Sequence, residues 1–120
     1  NETEASFYLK KNVESKIEIE EAAKIFLNKG VKNIVITLGS KGVYFANSSE
    51  SYFLDAFNLK DKVIDTTGAG DAFNVAFAYA LSKHHKDKDA LEFANKVAGI
   101  STTRVGAANA MPKLKEVEDY

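Results

Sequence analysis

The sequence predicts an α/β fold: a short sheet with helices packed against it. Three observations predict it. Apolar residues recur at helical spacing in several segments, a β-branched run is followed by a glycine turn and a second strand, and the elements run helix, helix, strands, loop, helix, helix. An all-helical bundle would lack the central β-type segment.

Glu2 to about Leu9 is helix-compatible, with Asn1 placed as an N-cap. Glu18 to Lys29 forms a clearer helix, because Ile19, Ala22, Ala23, Phe26 and Leu27 share one face and Gly30 follows as a stop. Ile34-Val35-Ile36, within Asn33 to Leu38, suits a strand buried on both faces. Gly39-Ser40-Lys41-Gly42 is a turn, and Val43-Tyr44-Phe45-Ala46 is the partner strand of a hairpin. Asn47 to Ser51 forms a polar turn. Tyr52 to Leu54 and Val63-Ile64 are two further strand candidates.

Thr66 to Gly70 is a loop of small residues. A helix then runs from about Asp71 to Leu81, with Ala72, Phe73, Ala76, Phe77 and Ala80 on its apolar face. His84 to Lys88 is a polar break. Asp87 is placed to cap a helix from Lys88 to about Thr103, with Leu91, Phe93, Ala94, Val97, Ala98 and Ile100 as its core. Gly106 to Asn109 is a second small-residue loop, and Pro112 is placed in the first turn of a last helix.

Length and composition narrow the function. A chain of 120 residues, 45% hydrophobic and 28% charged, reads as one soluble globular domain with a modest core. A net charge of -1 offers no basic field for nucleic acid or anionic membrane. No apolar run is long enough to cross a bilayer. The absence of cysteine excludes disulfides and thiolate zinc sites and is compatible with a reducing compartment, so a cytoplasmic location is expected. The opening Asn1-Glu2-Thr3-Glu4 does not read as a native start or as a targeting segment.

The stretch that carries chemistry is Asp65-Thr66-Thr67-Gly68-Ala69-Gly70-Asp71. It joins a strand candidate to a helix. Its glycines let backbone N–H groups converge closely on a ligand, and the helix behind adds unpaired N–H groups and the positive end of its dipole. Together these form an anion hole suited to a transferring phosphoryl group. Asp71 at that mouth has two readings. A carboxylate on a first helical turn is a common structural device worth about 0.3–1 kcal/mol. It is also placed to take a proton from an acceptor hydroxyl. A Walker A loop fits less well, since no Lys-Ser/Thr pair follows. A dinucleotide fingerprint fits less well too, since Phe73 stands at the third glycine.

Asp65 to Asp71 resembles the second conserved motif of the ribokinase-like carbohydrate kinases. Three further segments, in the family's order, strengthen the resemblance. Asn1-Glu2-Thr3-Glu4 is similar to its Asn-x-x-Glu motif. Thr37-Leu38-Gly39-Ser40-Lys41-Gly42 is similar to its nucleotide-binding turn. Thr103-Arg104-Val105-Gly106-Ala107 resembles the segment near its monovalent-cation site. The resemblance spans essentially the whole chain. The opening residues and the Thr-Arg-x-Gly-Ala run look most like the ribose-phosphorylating members.

The resemblance implies the C-terminal part of an α/β/α sandwich, an incomplete sheet flanked by helices that forms the ATP-binding portion of a sugar kinase, without the N-terminal sugar-binding portion and lid. It implies ATP-dependent transfer to a hydroxymethyl group of a small sugar, with D-ribose giving D-ribose 5-phosphate. Asp71 would be the base, and Gly68, Ala69 and Gly70 the anion hole. Asn1 and Glu4 would support magnesium and the phosphates through water. Thr37, Leu38, Gly39, Ser40, Lys41, Gly42 and Asn95, with Gly70 and Asp71, would line the ATP site. Asp65, with backbone oxygens of Thr67, Ser101, Arg104 and Gly106, would hold potassium. Ala110 stands where such kinases often carry a serine ligand, and it supplies no side-chain oxygen. A homodimer of the full-length protein is within what the resemblance allows. On its own, the 120-residue chain is expected to lack sugar kinase activity.

Other candidates read structurally. Adjacent His84 and His85 form no metal pair and fit a solvated helix end. Phe73 with Phe77, and Phe93 with Val97, fit core stripes. Lys83, Lys86 and Lys88 face water. Asn1 and Glu4 also fit a helix cap and a first-turn acid, Lys41 fits a hairpin tip, and Arg104 fits a charge at a helix C-terminus. Alternative functions are a kinase of another sugar, a sugar phosphate or a nucleoside, a non-catalytic nucleotide-binding module, and a dinucleotide-dependent enzyme.

Overall fold

A Ser-x-x-Glu signature starts the second helix earlier than its apolar stripe does. In the computed structural model, which describes residues 1–57, 59 and 62–120, helix α1 spans Glu2–Leu9 and helix α2 spans Lys16–Asn28. Ser15 Oγ accepts from the Glu18 amide at 3.2 Å, and Glu18 Oε1 accepts from the Ser15 amide at 3.0 Å. This reciprocal capping box places the start at Lys16 rather than Glu18. Asn1 caps α1 as expected. Strands β1 (Asn33–Thr37), β2 (Val43–Asn47) and β3 (Ser51–Leu54) form an antiparallel sheet in the order β1-β2-β3. Thr37 pairs with Val43 and Val43 with Leu54.

The chain packs as two compact units, Asn1–Asp55 and Ala56–Tyr120. In the first, Ala5, Val13, Ile19, Ala22 and Ala23 meet Ile36, Leu38, Tyr44 and Ala46, so α1 and α2 cover one face of the sheet. The strand buried on both faces is β2, whose Val43 to Ala46 are all buried. The Ile34-Val35-Ile36 run does not fill that role. β1 is at the edge of the three-stranded order, and only Ile36 in it is buried. Its apolar residues reach one neighbour strand, whereas β2 has two.

The second unit is built on helices α3 (Ala69–Ser82) and α4 (Asp87–Ser101), followed by a single turn of 3₁₀ helix at Ala108–Ala110 and by α5 (Leu114–Glu118). Ala72, Ala76 and Ala80 form an i,i+4 ridge on α3, and α4 answers with Ala90, Leu91, Ala94 and Val97, all buried. Such small side chains let two helices pack closely. Tyr79 and Phe93 close one side, with ring centroids 6.0 Å apart. Phe73 and Phe77 stack at 6.1 Å, and Phe73 and Val97 are buried, as the core stripes predict.

Three expectations are corrected here. Val63-Ile64 is not a strand: both side chains are exposed, at 50% and 67%, and the Ile64 and Asp65 amides donate to the Thr102 carbonyl rather than to a ladder. Asp87 is the first residue of α4, not its cap. Lys86 holds the cap position without a side-chain bond, and the helix stops at Ser101. Pro112 lies outside α5, since the extended Lys113 is the N-cap and Leu114 the first helical residue.

Candidate active site

Gly68 decides the geometry of the central loop. It adopts φ 76° as the N-cap of α3, so the helix begins at Ala69, two residues before the expected start at Asp71, and Asp71 falls within its first turn. A left-handed residue here turns the chain sharply into the helix, and glycine takes that conformation without the Cβ penalty other residues incur. The Ala69 amide donates to the Thr66 carbonyl at 3.2 Å. It is therefore committed to the turn, and the expected anion hole loses that donor. The Gly70 and Asp71 amides have no acceptor among the described residues, as the first turn of a helix dictates. Gly70 and Asp71 are exposed, so these donors and the carboxylate face solvent on one helix end.

Asp65 anchors the loop from the other side. Its Oδ1 accepts from the Thr67 amide at 2.9 Å and its Oδ2 from the Gly106 amide at 3.0 Å. The Gly106 bond, then the bonds to Thr67, hold its carboxyl below the usual carboxylate range. Arg104 donates its amide to the Ser101 carbonyl at 3.3 Å. Asp65, Thr67, Ser101, Arg104 and Gly106 are thus brought into one neighbourhood by direct bonds or short chain connections. Ser101 is buried and donates its hydroxyl to the Ala98 carbonyl at 2.7 Å.

Arg104 is not a helix C-terminal charge. It sits beyond α4 and its guanidinium pairs with Glu116 of α5 at 2.5 Å. That hydrogen bond, ahead of simple charge attraction, lowers the Glu116 pKa. His84 and His85 are exposed at the end of α3, as expected.

The remaining candidates lie as follows. Thr37 ends β1. Leu38 is buried and its amide donates to the Gly42 carbonyl at 2.8 Å. Gly39–Lys41 form one 3₁₀ turn, with Ser40 and Lys41 exposed at its tip. Asn1 Oδ1 accepts from the Glu4 amide at 2.9 Å, and the Asn1 nitrogen donates to Glu4 Oε2 at 2.6 Å, so both serve as a helix cap. Asn95 is half-buried on α4. Ala110 is fully buried. Among the described residues no group of three or more His, Cys, Asp or Glu side chains could hold a metal ion, and no helix is long and apolar enough to cross a membrane.

This order of turn, helix cap and acid matches known proteins along nearly the whole chain. The model of the pfkB family of carbohydrate kinases matches residues 1–114. The chain belongs to the pfkB carbohydrate kinase family. A similar relative is the ribokinase of Staphylococcus aureus, 38% identical over 118 residues, or 98% of this chain and 38% of that protein. Among solved structures, the ribokinase of Arabidopsis thaliana complexed with ribose and ATP superposes with a TM-score of 0.93 at 33% identity, covering 99% of this chain and 38% of that one. The ribokinase of Thermotoga maritima gives a TM-score of 0.85 at 39% identity, covering 98% and 38%. This carbohydrate kinase chain therefore spans about 38% of the length of its ribokinase relatives. The mixed α/β fold with a small sheet is that of the ribokinase relatives, as expected.

One contact of the loop before α3 escapes a reading of the sequence. A methyl group built on Gly68 would stand 2.8 Å from the Ala107 Cβ and 3.0 Å from its Cα. The two residues are far apart in the chain, and the only hint in the sequence is that both loops consist of small residues.

Proposed function

We propose that these residues are the nucleotide-binding and base-bearing part of an ATP-dependent kinase that phosphorylates the hydroxymethyl group of ribose. The observation that carries this reading is the first turn of α3, where the unpaired Gly70 and Asp71 amides and the Asp71 carboxylate share one exposed helix end. The amides suit a phosphoryl group carrying negative charge. Asp71 takes the proton of the acceptor hydroxyl as that oxygen attacks the γ-phosphorus of ATP. The bond from phosphorus to the bridging oxygen breaks, and ADP leaves with the electron pair. The ribose and ATP bound by the Arabidopsis relative support the choice of substrates.

The residues present fit the ions this chemistry uses. Asp65 is held ionised by two amides, and each carboxylate oxygen keeps a further lone pair, so with the carbonyls of Thr67, Ser101, Arg104 and Gly106 it would hold a monovalent cation. The exposed Asn1 and Glu4 would hold hydrated magnesium through water. When bound, the ions supply positive charge that offsets the phosphates. Thr37 to Gly42 and Asn95 bind nucleotide on this reading.

The test uses a ribokinase of Staphylococcus aureus in which these 120 residues replace the matching segment. It should phosphorylate ribose. Asp71→Asn should lower kcat by at least about 100-fold while ATP affinity stays within about twofold. Equal loss of both would leave Asp71 a structural role, and a folded, ATP-binding hybrid that never phosphorylates ribose would overturn the assignment. The 120 residues alone should turn over no ribose.

A further inference from the structure

The contact between Gly68 and Ala107 has a consequence for the anion-binding turn. Two loops from distant parts of the chain meet there. Asp65 ties the first to the Gly106 amide at 3.0 Å, and the next residue, Ala107, lies so close to Gly68 that no side chain fits between them. Gly68 in turn accepts the first bond of α3, its carbonyl taking the Ala72 amide at 2.9 Å. The position of Gly68 thus sets where α3 begins and where the Gly70 and Asp71 amides point.

We infer that Ala107 is a positioning residue: its methyl group is the stop against which the Gly68 turn rests, and its size sets the placement of the Gly70 and Asp71 amides. The inference rests on the kinase reading for its catalytic consequence, but not for its geometric one. A hydrogen bond alone at Asp65 leaves the turn free to pivot about that bond. A steric stop beside it removes that freedom. Alanine suits the place: glycine would leave a gap, and a β-branched residue would push the turn away. A displacement on the order of 1 Å at a reacting centre can cost roughly 100-fold in rate.

The experiment compares Ala107→Gly, Ala107→Ser and Ala107→Val. In the 120-residue chain, amide chemical shifts of Gly70 and Asp71 are read by heteronuclear NMR. In the ribokinase hybrid described above, kcat, KM for ATP and Tm are read. Ala107→Val and Ala107→Gly should each move the Gly70 and Asp71 resonances and lower kcat by about tenfold or more. Ala107→Ser, nearly equal in size, should keep both near the parent. Tm should not rank the variants as kcat does. Unmoved Gly70 and Asp71 resonances in Ala107→Gly overturn the inference, as does a kcat loss that simply follows Tm. A folded, ATP-binding parent hybrid that never phosphorylates ribose overturns the kinase reading instead, and the resonances still decide the role of Ala107. If Ala107→Val does not fold, Ala107→Gly carries the same decision.

Discussion

The Asp65 carboxylate and the Gly106 amide, 41 residues apart in sequence, are joined by a 3.0 Å hydrogen bond. This bond fastens the loop before α3 to the loop after α4, and the same carboxylate caps the Thr67 amide beside it. Both carboxylate oxygens act as acceptors, a role that an amide side chain fills with only one of its two terminal atoms.

Asp65→Asn should therefore destabilise the chain near neutral pH, because its amide nitrogen would face an N–H donor. The pH dependence has a definite sign. Asp65 has a folded pKa below its unfolded value, so its contribution is complete above the unfolded carboxylate range near about 4 and is lost as pH falls through the lower folded value. Chemical denaturation from pH 7 to pH 2 should show a steeper acid loss in the parent than in Asp65→Asn. Equal slopes would remove Asp65 from the acid response.

Gly68→Ala meets two obstacles at once. The residue would hold φ 76°, and its methyl would stand 2.8 Å from Ala107. Left-handed backbone costs an ordinary residue about 1–2 kcal/mol, and the overlap adds a further cost of order 1 kcal/mol or more. A loss of roughly 2–3 kcal/mol in urea unfolding is expected. A loss under about 0.5 kcal/mol would mean that the loops separate easily.

His84 sits at φ 62° after α3, where the His84 amide donates to the Leu81 carbonyl and the His85 amide to the Ala80 carbonyl. This is a Schellman closure with a histidine where glycine is usual. His84→Gly relieves about 1–2 kcal/mol of backbone strain and incurs about 0.5–1 kcal/mol of chain entropy. A net gain of about 0.5 kcal/mol in thermal unfolding is expected, and a net loss would show that the imidazole makes a stabilising contact.

Arg104 and Glu116 form a half-exposed pair between the post-α4 loop and α5. A double-mutant cycle with Arg104→Met and Glu116→Gln should give a favourable coupling that shrinks as salt rises. The pairing lowers the folded pKa of Glu116, so the coupling is present above its unfolded pKa and fades as pH falls through the folded one. A coupling unaffected by salt would point to packing rather than charge.

Much of the fold was legible from local pattern. The Asn1 cap, the helical stripes of α2, α3 and α4, and the hairpin at Gly39–Gly42 each follow from residues a few positions apart. The Ser15-x-x-Glu18 box was equally local, and it explains why α2 begins before its apolar stripe. The ranks of β1 and β2 were less legible, since an apolar run reads the same at an edge as in the centre. Val63-Ile64 carries β-branched residues, yet strand formation needs a partner ladder, and their neighbouring amides turn to Thr102.

Of the candidate site, the sequence by itself determined the turn: two glycines, a helix beginning nearby and an acid, because spacing along one helix end is a local property. It also marked Asp65, but not what Asp65 does in the fold. The tertiary structure alone decided that Asp65 bonds to Gly106, that Ala107 rests on Gly68, that the Ala69 amide is used by Thr66, and that Arg104 pairs with Glu116. The physical reason is range. Caps and stripes are set within a few residues of backbone, whereas two loops meet only after α3 and α4 have packed and carried their ends together.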